Sequence, residues 1–152
     1  MDTLDKLAIL ADAAKFDAAC TSSGVDRDPQ AGKVGMASAA GCCHSFTPDG
    51  RCITLLKVLL SNACCYDCAY CVNRSSAQTK RATFTPQELA ELTVDFYKRN
   101  YIEGLFLSSG VIGSPDHTTE LMIECLSYRR NELLFNGYVH AKVIPGTDPD
   151  LI

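Results

Sequence analysis

Three cysteines close together in the chain have the spacing of a metal-binding loop. Cys64, Cys68 and Cys71 are separated by three and by two residues, and they follow a short apolar run that is typical of a buried strand. Thiolates at this spacing can wrap one 4Fe-4S cube. Because only three of the four irons would have a protein ligand, one iron would keep an open position. An open position is what separates a catalytic metal site from a closed structural one.

Cys65 offers a second interpretation of the same segment. Cys65, Cys68 and Cys71 have the two-residue spacing that opens a bacterial ferredoxin sequence, but Ser75 stands where that sequence requires its next cysteine. A structural zinc site formed by Cys64, Cys65, Cys68 and Cys71 is a further alternative. A ferredoxin-like electron carrier and a zinc-stabilised binding module therefore remain alternatives to an enzyme.

A second group of potential ligands lies nearer the amino terminus. The chain has nine cysteines, an odd number, and without a secretory signal this favours metal binding or catalysis over a disulfide framework. Cys20, Cys42, Cys43 and Cys52, together with His44, could bind a second cluster. The alternative is that these cysteines are small buried hydrophobes and that the histidine is simply hydrogen-bonded.

The first cysteine group resembles the radical S-adenosylmethionine (SAM) superfamily. The superfamily motif has an aromatic residue before its last cysteine, matched here by Cys64, Cys68, Tyr70 and Cys71. The resemblance implies that the three cysteines hold a 4Fe-4S cluster, that SAM binds the fourth iron, and that its reductive cleavage yields a 5'-deoxyadenosyl radical. It also implies a reductant such as flavodoxin or ferredoxin. Tyr70 would pack against the adenine of SAM or shield the cluster from water.

The superfamily has a second landmark, a Gly-Gly-Glu-type turn after the second strand. Ser108, Ser109 and Gly110 occupy the matching place, and the glutamate is absent. The resemblance implies that this turn lies near the amino group of the methionine part of SAM. Hydroxyls and backbone carbonyls would then receive the ammonium, and Gly110 would permit close approach of the backbone.

A closer resemblance extends over nearly the whole chain. Residues 6–15, 43–52, 68–74 and 100–110 are similar to radical SAM proteins of DNA modification or repair, which are associated with a uracil-DNA-glycosylase-like partner. The resemblance implies DNA as a partner or substrate. Members of that family are much longer, so this chain would be roughly their first third to half.

The order of predicted elements indicates an α/β fold. Apolar runs predict three strands, and helical spacing with capping residues predicts the helices between them. Because strands alternate with helices, a parallel sheet is expected. The resemblance implies the first part of a partial (β/α) barrel of the TIM type. The predicted elements are a helix from about residue 3 to before residue 20, strands at 53–60, 104–107 and 138–144, and helices starting at Thr85 and spanning about 116–130.

Two units are expected along the chain. Residues 1–50 would form an extension with one helix and a long cysteine-containing loop, and residues 51–152 would form the first part of the barrel, truncated at its carboxyl end. A capping residue and a proline at Asp148 and Pro149 predict the start of another helix there.

Polar and charged side chains outside the cysteine loop are possible contacts for a substrate or for nucleic acid. Tyr138, His140 and Lys142 alternate on one face of the third strand and would meet substrate if that face lined a barrel. The alternative is that the histidine and the lysine reach solvent, as they usually do on a strand. Two basic groups are expected to be solvated: Arg74, Lys80 and Arg81, and Arg129 and Arg130. The last two also suit the negative end of their helix.

The net charge of -4 gives no general attraction for nucleic acid. The amino terminus lacks a signal peptide, so a cytoplasmic protein without membrane contact is expected.

Overall fold

The computed structural model describes residues 1–16, 42–46 and 48–152. In chain order the elements are α1 (Thr3–Ala14), β1 (Cys42–Phe46), β2 (Cys52–Leu59), α2 (Pro86–Lys98), β3 (Gly104–Ser108), α3 (Pro115–Asn131) and β4 (Tyr138–Ala141), followed by a short 3-10 helix at Pro149–Leu151. Within these ranges, every helix is too short or too polar to cross a lipid bilayer.

The four strands form one open sheet in the order β1-β2-β3-β4. β1 is antiparallel to β2, whereas β2, β3 and β4 run parallel to one another. The α/β fold and the three parallel strands are thus confirmed. The described strands do not form a barrel, because β1 and β4 lie at separate edges of the sheet.

Local capping chemistry fixes the helix starts. The Asp2 carboxylate accepts a hydrogen bond from the Leu4 N–H at 2.6 Å. At α2, the Thr85 hydroxyl accepts from the Glu88 N–H at 3.2 Å, while the Glu88 carboxylate accepts from the Thr85 N–H at 2.8 Å. This reciprocal capping box satisfies two N–H groups that a helix leaves without partners, so α2 begins where the sequence predicts.

The main core lies between one face of the sheet and the helices. Alternate residues of the central strands point to this face, which is why the apolar side chains of β2 and β3 meet those of the helices. Leu56 and Val58 of β2 and Leu105 of β3 share one buried cluster with Leu10 of α1 and Leu89 of α2. The amino-terminal helix therefore packs into the same core as the sheet.

Two elements differ from the sequence prediction. β1 lies in a stretch that was expected to be a loop, because its polar and cysteine residues show no strand periodicity and only pairing with β2 provides its hydrogen bonds. β4 ends at Ala141 and not at Ile144. One hydrogen bond, from the Lys142 N–H to the Leu107 carbonyl at 2.9 Å, extends beyond the strand before Ile144 turns into the core.

Arg129 was expected on a solvated face, and this expectation is wrong. Its side chain is fully buried, with 0% relative exposure, and its guanidinium carbon lies 4.6 Å from the centre of the Phe135 ring. Arg130, the next residue, is exposed and donates a hydrogen bond to the Phe135 carbonyl at 2.6 Å. Adjacent helical residues point in different directions, so only one of the two arginines faces the interior.

Candidate metal centre

The predicted cysteine loop begins where β2 ends. The Leu60 N–H donates to the Ser108 carbonyl at 2.8 Å, so the chain leaves β2 beside the last residue of β3. Ser61 then forms a bridge with Thr83, and the hydroxyls of the two residues are 2.8 Å apart. Both sides of the loop are therefore attached to the carboxyl edge of the parallel strands, where ligands bind in α/β proteins.

Cys64 lies directly against the turn after β3. The Val111 N–H donates to the Cys64 Sγ at 3.3 Å, and the Gly110 N–H donates to the Ser61 carbonyl at 2.7 Å. A Cβ atom placed on Gly110 would lie 3.0 Å from the Cβ of Cys64, tighter than ordinary van der Waals contact. The structure thus brings together the two segments that the sequence singled out separately.

Cys68 and Cys71 lie on the outer part of the loop. The Cys71 N–H donates to the Cys68 carbonyl at 3.0 Å, which forms a turn between the two thiols. The Asn73 N–H points at the Cys71 Sγ at 3.4 Å. Two of the three predicted ligands therefore receive a backbone N–H, and such donors stabilise the negative charge of a thiolate.

The outer part of the cysteine loop is closed by hydrogen bonds between residues 66–67 and residues 75–76. The Ser75 N–H donates to the Tyr66 carbonyl at 2.8 Å. The Asp67 carboxylate accepts from the Ser76 hydroxyl at 2.6 Å and from the Ser76 N–H at 3.0 Å. These bonds, led by the hydroxyl, lower the pKa of Asp67 because they favour its charged form. Ser75, the residue that argued against a ferredoxin sequence, helps to close the loop through its backbone N–H.

Comparison with known families identifies this region. The family described as the 4Fe-4S single cluster domain matches residues 49–147, well over half of the chain. The chain belongs to this 4Fe-4S single cluster domain family. The domain is found in radical SAM-related proteins. No curated protein and no solved structure shows a significant match to the chain.

The cysteine loop of this 4Fe-4S domain contains thiols of the kind that bind the cluster the family indicates. Cys64, Cys68 and Cys71 are free thiols of intermediate exposure, reachable by an inorganic cluster yet partly shielded from water. In the part of the chain that the structure describes, no three His, Cys, Asp or Glu side chains are grouped as ligands of a single metal ion. A cube differs from a single ion because each thiolate binds a different iron. Thiolates with N–H partners are the kind of donor that a 4Fe-4S cluster takes, and the assignment of these three cysteines as its ligands stays a prediction.

Cys65, the alternative ligand, has a different environment. Its side chain is exposed, its N–H donates to the Val111 carbonyl at 2.8 Å, and its thiol donates to the Gly113 carbonyl at 3.7 Å. Cys64 and Cys65 therefore both contact the segment after β3: Cys64 accepts from the Val111 N–H, and Cys65 donates to the carbonyls of Val111 and Gly113. The assignment of Cys64, and not Cys65, as a ligand stays a prediction.

The predicted SAM-binding residues have unequal surroundings. Ser108 is buried at the end of β3, and the Ser109 hydroxyl donates to the Gly110 carbonyl at 2.7 Å. Tyr70 is 92% exposed. Its two predicted roles, contact with the adenine of SAM and shielding of the cluster from water, both stay predictions.

The second group of potential ligands is mostly outside the described side chains. Cys20 lies outside the described residues, and only the backbone of Cys42, Cys43 and His44 is described, as part of β1. Cys52 is exposed at the start of β2. The second cluster stays a prediction.

The sheet face opposite the helices carries a row of three side chains that only the strand register reveals. Lys57, Phe106 and His140 are direct neighbours across β2, β3 and β4. The Lys57 Nζ lies 5.5 Å from the centre of the Phe106 ring, and the His140 ring stacks on Phe106 at 4.4 Å. Lys57 is only 3% exposed, although in the sequence it is merely an interruption of an apolar run. His140 was predicted to contact substrate, and this stays a prediction.

Proposed function

We propose that this 4Fe-4S domain is part of a radical SAM enzyme, in which Cys64, Cys68 and Cys71 bind the cluster. The observation that carries the proposal is the contact between the cysteine loop and the turn after β3, where the Val111 N–H donates to the Cys64 Sγ at 3.3 Å and Gly110 packs against Cys64. A cofactor at an open iron near Cys64 would therefore also touch this turn.

When bound and reduced, the cluster would supply the electron for reductive cleavage of SAM, and residues of this chain would form the binding site. The turn after β3 lacks the acidic residue of the superfamily pattern, so the proposed acceptors of the SAM ammonium are oxygens of Ser108 and Ser109. The Ser109 hydroxyl donates its proton to the Gly110 carbonyl, which leaves its oxygen lone pairs as acceptors. The absence of a side chain on Gly110 lets the backbone approach the ligand closely.

Anaerobic reconstitution with iron and sulfide, followed by SAM and dithionite, tests the proposal. We expect about four irons per chain, as one 4Fe-4S cluster requires, and release of 5'-deoxyadenosine. A reducible cluster that leaves SAM intact would indicate an electron carrier. A colourless protein that takes up zinc in preference to iron would indicate a structural or binding module.

Single substitutions distinguish the two possible cysteine registers. Cys64→Ala is expected to abolish cluster binding, because it leaves the cube with two thiolate ligands. Cys65→Ala should retain about four irons per chain and the 5'-deoxyadenosine activity. The reverse result, or full iron content in a variant without Cys64, Cys68 and Cys71, would reject the proposed ligand set.

DNA is the proposed substrate class, on the basis of the resemblance to DNA modification or repair proteins. The proposed setting is the cytoplasm, with a flavodoxin or ferredoxin as reductant and a uracil-DNA-glycosylase-like protein as partner.

The DNA proposal is tested by measuring 5'-deoxyadenosine formation with single-stranded DNA, with duplex DNA and without DNA. Mass spectrometry of the nucleosides then shows whether the DNA is altered. We expect DNA to increase turnover and to be altered. Unchanged DNA and unchanged turnover would reject this substrate class, and a pull-down between the two purified proteins tests the partner.

A further inference from the structure

Arg81 lies behind the cysteine loop and donates to four backbone carbonyls. Its Nη1 donates to the Asn62 carbonyl at 2.5 Å and to the Asn73 carbonyl at 2.8 Å. Its Nη2 donates to the Arg74 carbonyl at 2.7 Å and to the Ala77 carbonyl at 2.8 Å. Arg81 was expected to be part of a solvated basic patch. Instead its planar guanidinium is used as a multidentate donor, which a lysine could not reproduce.

These four carbonyls lie on both sides of the predicted ligands. Asn62 precedes Cys64 by two residues, and Asn73 follows Cys71 by two residues. One guanidinium therefore joins the entrance of the loop to its exit. Joining these points fixes the separation of the loop's ends and reduces the conformations available to the thiols between them.

Asn62 holds Arg81 in place from the opposite side. Asn62 is only 1% exposed, and its side-chain oxygen Oδ1 accepts from the Ala82 N–H at 2.8 Å. Its side-chain nitrogen Nδ2 donates to the Lys80 carbonyl at 2.9 Å. Because Asn62 binds the residues flanking Arg81 while Arg81 binds the Asn62 backbone, the two residues form a reciprocal connection.

The connection reaches the thiol of Cys71 through two consecutive peptide groups. The carbonyl of Asn73 accepts from Arg81, while the N–H of the same peptide, on Arg74, donates to the Cys71 carbonyl at 3.3 Å. The preceding N–H, on Asn73, points at the Cys71 Sγ at 3.4 Å. The two peptides meet at the Cα of Asn73, so holding the Asn73 carbonyl also restrains the Asn73 N–H on a predicted cluster ligand. Such donors tune the reduction potential of a cluster.

We infer that Arg81 is a positioning residue of the cluster loop, which holds the Asn73 N–H on the Cys71 sulfur and keeps the three thiols at the spacing a cube requires. This inference rests on the proposed function. The four carbonyls that accept from Arg81 are neutral, so these bonds leave its positive charge uncompensated, and the charge would act on an anionic cluster bound by the loop. Both effects favour the reduced cluster.

Arg81→Lys and Arg81→Ala test the inference in the reconstituted full chain. Arg81→Lys keeps the charge but loses the planar fork, so its effect reports on positioning. We expect both variants to have a more negative midpoint potential in an EPR-monitored redox titration, an altered EPR signal of the reduced cluster, and several-fold faster iron release to a chelator. Lys80→Ala, at the exposed neighbouring position, is the matched control and should behave as the wild type.

Rescue separates positioning from loss of folding. Methylguanidinium added to Arg81→Ala should restore the midpoint potential and slow iron release, and it should restore cluster loading even if the variant folds poorly without it. Wild-type potential, EPR signal and iron release in both Arg81 variants would overturn the inference, as would failure of rescue in a variant that does not load. A wild-type chain that binds no cluster would instead overturn the proposed function itself.

Discussion

Arg129 shows how a single side chain can act against the stability of the fold. All three of its guanidinium nitrogens are buried, and none has a hydrogen-bond partner among the described residues. Burial lowers the pKa of Arg129 to about 10, because desolvation penalises the charged form. The side chain is still protonated at neutral pH. Its contact with the Phe135 ring is worth on the order of 2 kcal/mol in a desolvated setting, less than the several kcal/mol that burial of a charge costs.

Arg129→Met is therefore expected to be neutral or to stabilise the apoprotein. Replacing buried charged groups with apolar side chains of similar size leaves stability unchanged or raises it by ~1–4 kcal/mol. Urea unfolding monitored by circular dichroism measures the change. Because the folded pKa lies below the unfolded one, the cost of Arg129 is fully present at neutral pH and decreases only as pH rises through about 10 towards the unfolded value.

Arg130→Met is the matched control at the adjacent position. It removes the hydrogen bond to the Phe135 carbonyl, and a loss of ~1 kcal/mol is expected. A loss of several kcal/mol for Arg129→Met would contradict the prediction, because that result would mean that the guanidinium has an acceptor in solution.

At the scale of elements, the turn after β3 depends on one missing side chain. Gly110 does not have a positive φ, so an alanine could adopt its backbone conformation. The added Cβ would nevertheless lie 3.0 Å from the Cys64 Cβ and 3.2 Å from the Ser61 carbonyl oxygen. Because backbone atoms cannot rotate away as a long side chain can, the turn or the cysteine loop must move.

Gly110→Ala is expected to lower SAM cleavage at least about tenfold, since displacements of about 1 Å at a reacting centre can cost a hundredfold. Iron content and 5'-deoxyadenosine formation measure the effect. Gly113→Ala is the control for backbone strain, because Gly113 has φ +71° but open space around its Cβ position. Equal SAM cleavage by Gly110→Ala and wild type would show that the turn and Cys64 are not in close contact in the cluster-loaded protein.

What the sequence predicts at this scale depends on how local the determining contacts are. The start of α2 could be predicted because Thr85, Pro86 and Glu88 lie within one helical turn and satisfy their own N–H groups. The cysteine loop could be singled out for the same reason, since Cys64, Cys68 and Cys71 lie in one short segment, and their metal binding stays a prediction. β1 was not, because its hydrogen bonds come from β2 and not from its own residues.

Long-range partners explain why two arginines expected to be solvated, and one lysine without a predicted role, have other surroundings in the structure. An arginine in a polar segment is usually solvated. Arg81 differs because folding brings the Asn62 and Asn73 carbonyls to its guanidinium, and Arg129 differs because the helix direction turns it inward. Lys57 likewise meets Phe106 only through the register of β2 and β3. The spacing of residues within one segment cannot predict these contacts, because the partners come from other segments of the chain.

For the whole molecule, cluster binding and folding should be coupled. The predicted ligands lie on one loop, and this loop is attached to β2 at Leu60, to β3 through Gly110 and to the segment before α2 through Thr83. An unfolded chain cannot present the thiolates at a fixed spacing. A group that binds the folded state alone stabilises it by ~3–4 kcal/mol when its concentration exceeds its dissociation constant by a hundredfold to a thousandfold.

The holoprotein is therefore expected to melt at least ~5 °C above the apoprotein, since 1 kcal/mol shifts the melting temperature of a chain of this size by ~2–4 °C. Anaerobic thermal unfolding before and after chelation of the iron measures the difference, and Cys65→Ala should keep it. Cys68→Ala and Cys71→Ala should lose it, because each removes a thiolate that connects the cube to the loop. Identical melting of the holoprotein and the apoprotein would mean that the iron binds outside this loop or binds the unfolded chain equally well.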